Sequence, residues 1–481
     1  MSDSPGAGSS GLSGLPAGPV GMPGTSFASQ RFHFVGVAGA GMSGLARLLH
    51  GNGATVSGSD KCTGEVLDRL LVEGIEVWPG CRPDRIHGQD GYVIRSAAVP
   101  ADDAEVQVCV RNGFTSLLYA EAVGRLSEGR RTLAIGGTHG KTTTTGLTVA
   151  ALRAAGLDPS HLIGGEVPEL GGNGHGGTSP EFVVEACEFN RSFHNLRPFG
   201  AAILNVDHDH FDCYPSNDDL IAAFGGYLAR VRPGGAALLE ESVPKAVLSS
   251  LRTDAQILTV GAGLWADVRA VDVREDLGRF SFVPMVRGQR FPRVAMTLPG
   301  RHNMQNALFA LGLTFLAGAD VAAACAGVAG FAGVRRRFEL HQGQRGGLLV
   351  NDYAHHPVEI RAVLQAARQR FPGRRMLVAF QPHQHQRTLC LLGEFAEALA
   401  AADLTLVADI YGARESAELK AAVSANDLVE AVRARGGRCE PGGSIASLPG
   451  EVGRHRREED LVLLLGAGDI DQAVGGIVAT L

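Results

Sequence analysis

No apolar run in this 481-residue sequence approaches the roughly 18–20 residues that a membrane-spanning helix needs, so no membrane insertion is expected. The 8 cysteines are scattered and form no CxxC pair. That argues against a disulfide framework or a zinc site and suits reduced thiols. Basic excess is also missing. With a formal net charge of −6, no overall nucleic-acid footprint is expected. Residues 1–29 have neither the basic start nor the apolar segment of a signal peptide. Rich in Gly, Ser, Pro and Ala, they read as a disordered tail. A cytoplasmic location is the expectation.

What is present points to phosphate chemistry. GTHGKT (residues 137–142) follows the apolar run TLAI and precedes a helix-prone stretch. A strand, a glycine-rich turn and a helix N-terminus present backbone N–H groups to an anion. Lys141 can reach the β/γ-phosphates, and the Thr142 hydroxyl can ligate Mg²⁺. The usual phosphate loop has four residues before Gly-Lys; this one has two, Thr138 and His139. Lys141 is expected on a solvated loop.

The chain length suggests about three domains. Residues 30–130 open with the strand FHFVGV, the glycine-rich GAGMSG and a second strand ending on Asp60. Taken alone, that pattern is a Rossmann-like nucleotide turn, with NAD(P) or FAD its usual ligand and an acid placed for a ribose hydroxyl. Residues 131–333 hold the phosphate loop, and FVVEA and AAILN read as strands ending in polar groups. Ligands bind beyond strand C-termini in such sheets, so these acids belong on the rim of Lys141. Residues 266–297 alternate as an antiparallel extension, and a helix is expected near Asn303. Residues 334–481 again alternate strands and helices. The fold class is therefore α/β in three domains: Rossmann-like, central P-loop-type ATPase with a mainly parallel sheet, and Rossmann-like again.

Hard oxygen ligands suit Mg²⁺ beside phosphates. Glu185, at a strand end, and His210 are the candidates for Mg²⁺ or Mn²⁺; a capping or core role for His210 is the alternative. Asp209 and Asp212 read equally as turn chemistry, and Cys187 as a packed small residue. DYAHHP (352–357) and QPHQHQRT (381–388) each follow a strand, and Arg387 can clamp a phosphate or carboxylate.

These segments occur in one order: GVAGAGMSGLA, GGTHGKTTTTG, EACE, NVDHDHFD, GRHNMQNALFA, FAGVRRRFE, DYAHHP and FQPHQHQRT. Together they resemble the Mur ligases, ATP-dependent amino-acid ligases of peptidoglycan precursor synthesis, and most of all the alanine-adding member. The resemblance implies that L-alanine is joined to the lactyl carboxylate of UDP-N-acetylmuramate through an acyl phosphate, with one domain each for the UDP-sugar, ATP and the amino acid. It implies ATP contacts from Gly137, Thr138, His139, Gly140, Lys141, Thr142, Thr143, Asn303, Arg336 and Asp352. Metal ligands would be Thr142, Glu185 and His210. UDP, not NAD, would lie against Gly39, Gly41, Met42, Ser43, Asp60 and Ser96. Tyr353, His355, His383 and Arg387 would meet the reacting groups, with Lys141, Glu185, His210, His355 and Arg387 catalytic.

Two positions depart from or vary within the family. Gln384 stands where an arginine is usual, and Phe224 stands where some members carry a carbamylated lysine, so no modified lysine is expected. Monomer and dimer remain open. So do three rivals: a recycling ligase that adds a tripeptide, an NAD-dependent dehydrogenase, and a P-loop switch without ligation.

Overall fold

A computed structural model describes residues 27–61, 63–209, 211, 213–344, 346–412 and 415–481. Three sheets follow one another along the chain. In the first, five parallel strands lie in the spatial order Glu76–Pro79, Thr55–Asp60, Arg31–Val35, Gly91–Arg95, Phe114–Leu118. The order reverses at the central strand, where a crevice opens beyond the strand ends. Gly36 and Ser96 face each other there, with a Cβ on Gly36 only 3.0 Å from Ser96 Oγ.

The middle sheet has a parallel centre: Ser160–Leu162, Glu181–Glu185, Arg131–Gly136, Gly200–Ile203, Ala236–Glu240, Gln256–Val260. Val268–Asp276 and Arg279–Val286 extend it as an antiparallel pair. The long helix Arg301–Leu316 begins where the HNxxNA segment places it. The third sheet runs Glu339–Gln342, Leu348–Asp352, Leu461–Leu465, Met376–Phe380, Leu404–Ala408, Cys439–Gly443, all parallel except the first. Its central strands Met376–Phe380 and Leu461–Leu465 are buried throughout, which is why they read as continuous apolar runs.

Phe27, which composition assigns to the tail, is instead buried. Its ring packs edge-on against Phe32 at 6.1 Å, and its N–H donates to the Asn52 carbonyl at 2.7 Å. Residues 1–26 lie outside the described chain. Among the described residues no helix is long and apolar enough to cross a membrane.

The first two domains are tightly joined. A Cβ on Gly174 would overlap the Gly44 carbonyl, so the helix Ala40–Gly51 lies directly on the middle domain's backbone. Asn173 donates from Nδ2 to the Ala40 carbonyl at 2.6 Å and accepts from Arg47 Nη1 at 2.6 Å. Arg47 also pairs with Glu166 of the middle domain at 3.1 Å.

Candidate active site

The phosphate loop lies at the C-terminal end of the central strand Arg131–Gly136. Gly137 and Gly140 adopt φ of +136° and +84°, conformations that a side chain rarely tolerates. A Cβ on Gly140 would also stand 2.8 Å from Asn306 Oδ1. The first intrahelical bond runs from Thr144 N–H to the Gly140 carbonyl at 3.0 Å. The N–H groups of residues 141–143 precede it and so lie in the unpaired first turn, where the helix dipole favours an anion.

Lys141 is not solvated, contrary to expectation. Its Nζ donates to the carbonyls of Gly137 and Thr138 at 2.5 and 3.0 Å and pairs with Glu188 Oε2 at 2.8 Å. Burial works to lower its pKa, but Glu188 outweighs this and the net shift is upward. Glu185 ends the neighbouring strand. Its Oε1 accepts from Gly164 N–H at 2.5 Å, and Thr142, at the head of the loop's helix, helps hold its charged form. Burial pushes the Glu185 carboxyl up, against the pull of Gly164 N–H and Lys141. Two hard oxygen donors, Glu185 and Thr142, thus adjoin the loop. His210, the third expected ligand, and Asp212 lie outside the described residues.

A cleft of about 330 Å³ separates this loop from the third domain. His139, Gly140, Thr143, Asn303, Asp352 and Glu359 are among its walls. Asn303 and Asn306 form a buried chain, from Asn306 Nδ2 to Asn303 Oδ1 at 3.2 Å and from Asn303 Nδ2 to the Pro299 carbonyl at 2.7 Å. Asp352, at a strand end, accepts the N–H groups of Phe338 and Ala354 at 2.7 and 2.8 Å. Burial still pushes its carboxyl up to about 6. Glu359 bridges the cleft, with Oε1 at 3.1 Å from His139 Nδ1 and Oε2 accepting His355 N–H at 3.0 Å.

The loops after the third domain's strands converge on the same region. Arg336 and Arg337 lie over the Tyr353 ring at 4.9 and 5.0 Å. Arg336 donates to the Gly466 carbonyl at 2.8 Å, so its guanidinium is tied within its own domain. His355 and His383 meet edge to face at 6.0 Å. Burial holds the His355 imidazole down at about 3, despite the nearby Glu359 carboxylate. Arg387 is buried and grips Asp209 of the middle domain with both Nε and Nη2, at 2.8 and 3.2 Å. Gln384 takes φ of +72° at the start of the helix His385–Cys390.

The first-domain candidates divide. Ser96 stands against Gly36 of the glycine-rich turn, and the nearest neighbour of Gly41 is the Tyr119 ring, 2.7 Å from where a Cβ would be. Gly39 caps the helix Ala40–Gly51 without a side chain to contribute. Met42 and Ser43 are buried on that helix; Ser43 Oγ donates to the Ala40 carbonyl at 3.1 Å. Asp60 accepts the Ala38 N–H at 2.9 Å, holding the glycine-rich turn. Phe224 is core, its ring edge-on to Phe193 at 5.3 Å.

Sequence reasoning missed Tyr119 and Glu359. The one available signal for Glu359 was local: it stands three residues after His356 at a helix start, where the two complete a capping box. Among the described residues the one cluster of three metal-ligating groups is Cys81, Asp103 and Glu105, in the first domain. Glu105 there already accepts from Trp78 Nε1 and Arg82 N–H, at 3.2 and 2.6 Å.

Comparison with known proteins covers nearly the whole chain. Residues 31–131 match the Mur ligase family catalytic domain, 135–314 the Mur ligase middle domain, and 336–468 the Mur ligase glutamate ligase domain. A UDP-N-acetylmuramate–L-alanine ligase of Chromobacterium violaceum is 39% identical over 461 residues, 94% of this chain and 98% of its own. The enzyme of that name from Halorhodospira halophila is 38% identical over 460 residues, 94% and 93% of the two chains. The crystal structure of a UDP-N-acetylmuramate–alanine ligase from Thermotoga maritima superposes with a TM-score of 0.75 at 26% identity, covering 93% of this chain and 98% of that one. A murein peptide ligase from Psychrobacter arcticus shares the fold, with a TM-score of 0.68 at 22% identity over 94% and 98% of the chains.

Proposed function

Because this chain belongs to the Mur ligase family, we propose that it joins L-alanine to the lactyl carboxylate of UDP-N-acetylmuramate with cleavage of ATP to ADP and phosphate. The observation that carries this reading is the cleft itself. One wall is the phosphate loop, through His139, Gly140 and Thr143, and the other is a third-domain wall that includes Asp352 and Glu359.

In this reading residues 30–130 take the UDP-sugar, 131–333 take ATP, and 334–481 take the amino acid. The sugar's carboxylate attacks the γ-phosphate to give an acyl phosphate, which the alanine amine then attacks. Carboxylate and phosphate repel, so the site must concentrate positive charge between them. Lys141 and the first-turn N–H groups supply it. The docked third domain keeps water from the acyl phosphate. Asn303 and Asp352 face the nucleotide, and Tyr353, His355, His383 and Arg387 stand where the amine acceptor arrives.

The donor set fits a divalent cation. The half-buried Glu185 carboxyl and the Thr142 hydroxyl are two hard ligands for Mg²⁺ or Mn²⁺, with His210 the third expected ligand. When bound, the ion adds Lewis-acid charge at the phosphates. The expected setting is the cytoplasm, where ATP and UDP-sugars are made.

An ADP-release assay with UDP-N-acetylmuramate and a panel of amines tests the reading. L-alanine is expected to support turnover well above the Ala-Glu-diaminopimelate tripeptide, and glycine and serine in the panel measure how strict the choice is. Turnover with the tripeptide alone would reassign the chain to recycling. ADP release that ignores the amine would exclude ligation.

A further inference from the structure

Glu359 and His139 come from different domains, 220 residues apart in sequence, yet each side chain is only 12% exposed where they meet. One carboxylate does three things. Oε1 receives His139 Nδ1–H, and Oε2 receives the N–H groups of both His355 and His356, at 3.0 and 3.2 Å. The His139 backbone is fixed from the other side, its N–H donating to Asn205 Oδ1 at 2.8 Å. With Nδ1 committed to Glu359, the ring's other nitrogen is buried and makes no hydrogen bond among the described residues. Asp207 Oδ2 stands off from it at 3.5 Å. That nitrogen lies on a ring that lines the cleft next to Gly140, at the head of the phosphate-loop helix.

We propose that Glu359 is a positioning residue: it fixes the His139 ring in the cleft wall beside Gly140, where the ring is an added donor group for the ATP phosphates. The proposal rests on the cleft's being the ATP site. It adds a donor that the loop's lysine and backbone do not supply, and it works only while the third domain is docked, because Glu359 belongs to the helix Pro357–Arg370.

The surrounding charges favour the doubly protonated ring. Burial disfavours it, but Glu359 and Asp207 outweigh both burial and the nearby Lys141, so the His139 imidazole is shifted upward. His356, whose ring lies 4.8 Å away, is held down at about 4 by burial and by His139, so it stays neutral and does not compete. The Glu359 carboxyl is well below its usual range: burial opposes this, and the imidazoles of His355 and His139 with the Arg337 guanidinium more than offset it.

The test is a double-mutant cycle read by ATP affinity, which needs no ligation. Glu359→Gln keeps the side chain's shape and can still accept the His355 and His356 N–H groups, but it removes the charge. ATP is expected to bind about tenfold more weakly, the loss typical of one charge-assisted hydrogen bond. His139→Asn should lose a similar factor, and the double variant should be no worse than His139→Asn alone. In ¹⁵N spectra of the full chain, the ring signals lost in His139→Asn should show two protonated nitrogens in the parent and one in Glu359→Gln. Unchanged ATP affinity in either single variant overturns the proposal, as do additive losses or a ring signature that ignores Glu359→Gln. A chain that binds ATP with this coupling but ligates no amino acid would refute the proposed function and leave the positioning role standing.

Discussion

Asp209 and Arg387 form a buried two-pronged ion pair across the junction of the middle and third domains, with Nε–Oδ1 at 2.8 Å and Nη2–Oδ2 at 3.2 Å. Both side chains are nearly inaccessible, at 6% and 3% exposure. Removing one partner leaves a charge buried and uncompensated, which costs about 3–5 kcal/mol. Asp209→Ala should therefore loosen the docked third domain and lower the denaturant midpoint. Limited proteolysis should cut the variant faster near residues 331–338. An unchanged midpoint and cleavage rate would show that the pair adds nothing to docking.

Lys141→Ala should lose about 10²–10³-fold in turnover, because one key stabiliser of developing charge is gone. It should also lower the melting temperature, since the bonds from Nζ to the Gly137 and Thr138 carbonyls and the ion pair with Glu188 are lost. Near-normal turnover in the variant would remove Lys141 from the chemistry.

Gly41→Ala drives a methyl group into the Tyr119 ring. The ring must then move beside the glycine-rich turn. UDP-sugar affinity should fall and ATP affinity should hold, as calorimetry with each ligand separately can show. The reverse pattern would overturn the division of ligands between the first two domains.

The Asp352 carboxyl, at about 6 in the folded protein, gives a pH signature. The folded state keeps this proton to higher pH than the unfolded chain, whose aspartate titrates near 3.9. Stability from this group is thus lost as pH rises between about 4 and 6, by on the order of 3 kcal/mol. Asp352→Asn should flatten that part of the stability profile, whatever its effect on absolute stability. Parallel profiles for parent and variant would rule the assignment out.

Glu185→Gln should raise the Mg²⁺ concentration for half-maximal rate, with partial rescue at high metal because Thr142 and the phosphates remain as ligands. A midpoint equal to the parent's would place Glu185 outside the metal site.

Local patterns were legible in the sequence and long-range pairings were not. GTHGKT announced its loop because Gly137 and Gly140 meet a backbone requirement within a few residues. The strands ending at Glu185 and Asp352 were readable because each is an apolar run that stops on a polar residue. Lys141 was misjudged as solvated because its partner Glu188 arrives from another strand's end, 47 residues away. The contact between Asp209 and Arg387 spans 178 residues, and no periodicity reports such a distance. Phe27 was lost in the average composition of its neighbours, although one aromatic is enough to anchor a chain end on a core.

The abutment of Gly44 on Gly174, locked by Arg47 and Asn173, makes the first two domains a ruler. In the proposed reading the glycine-rich turn holds the sugar nucleotide and the phosphate loop holds ATP, and this abutment sets the distance between them. Length then becomes a criterion of choice. A donor whose carboxylate sits one carbon nearer its diphosphate would be held firmly and still fall short of the γ-phosphate, behaving as an occupant instead of a substrate.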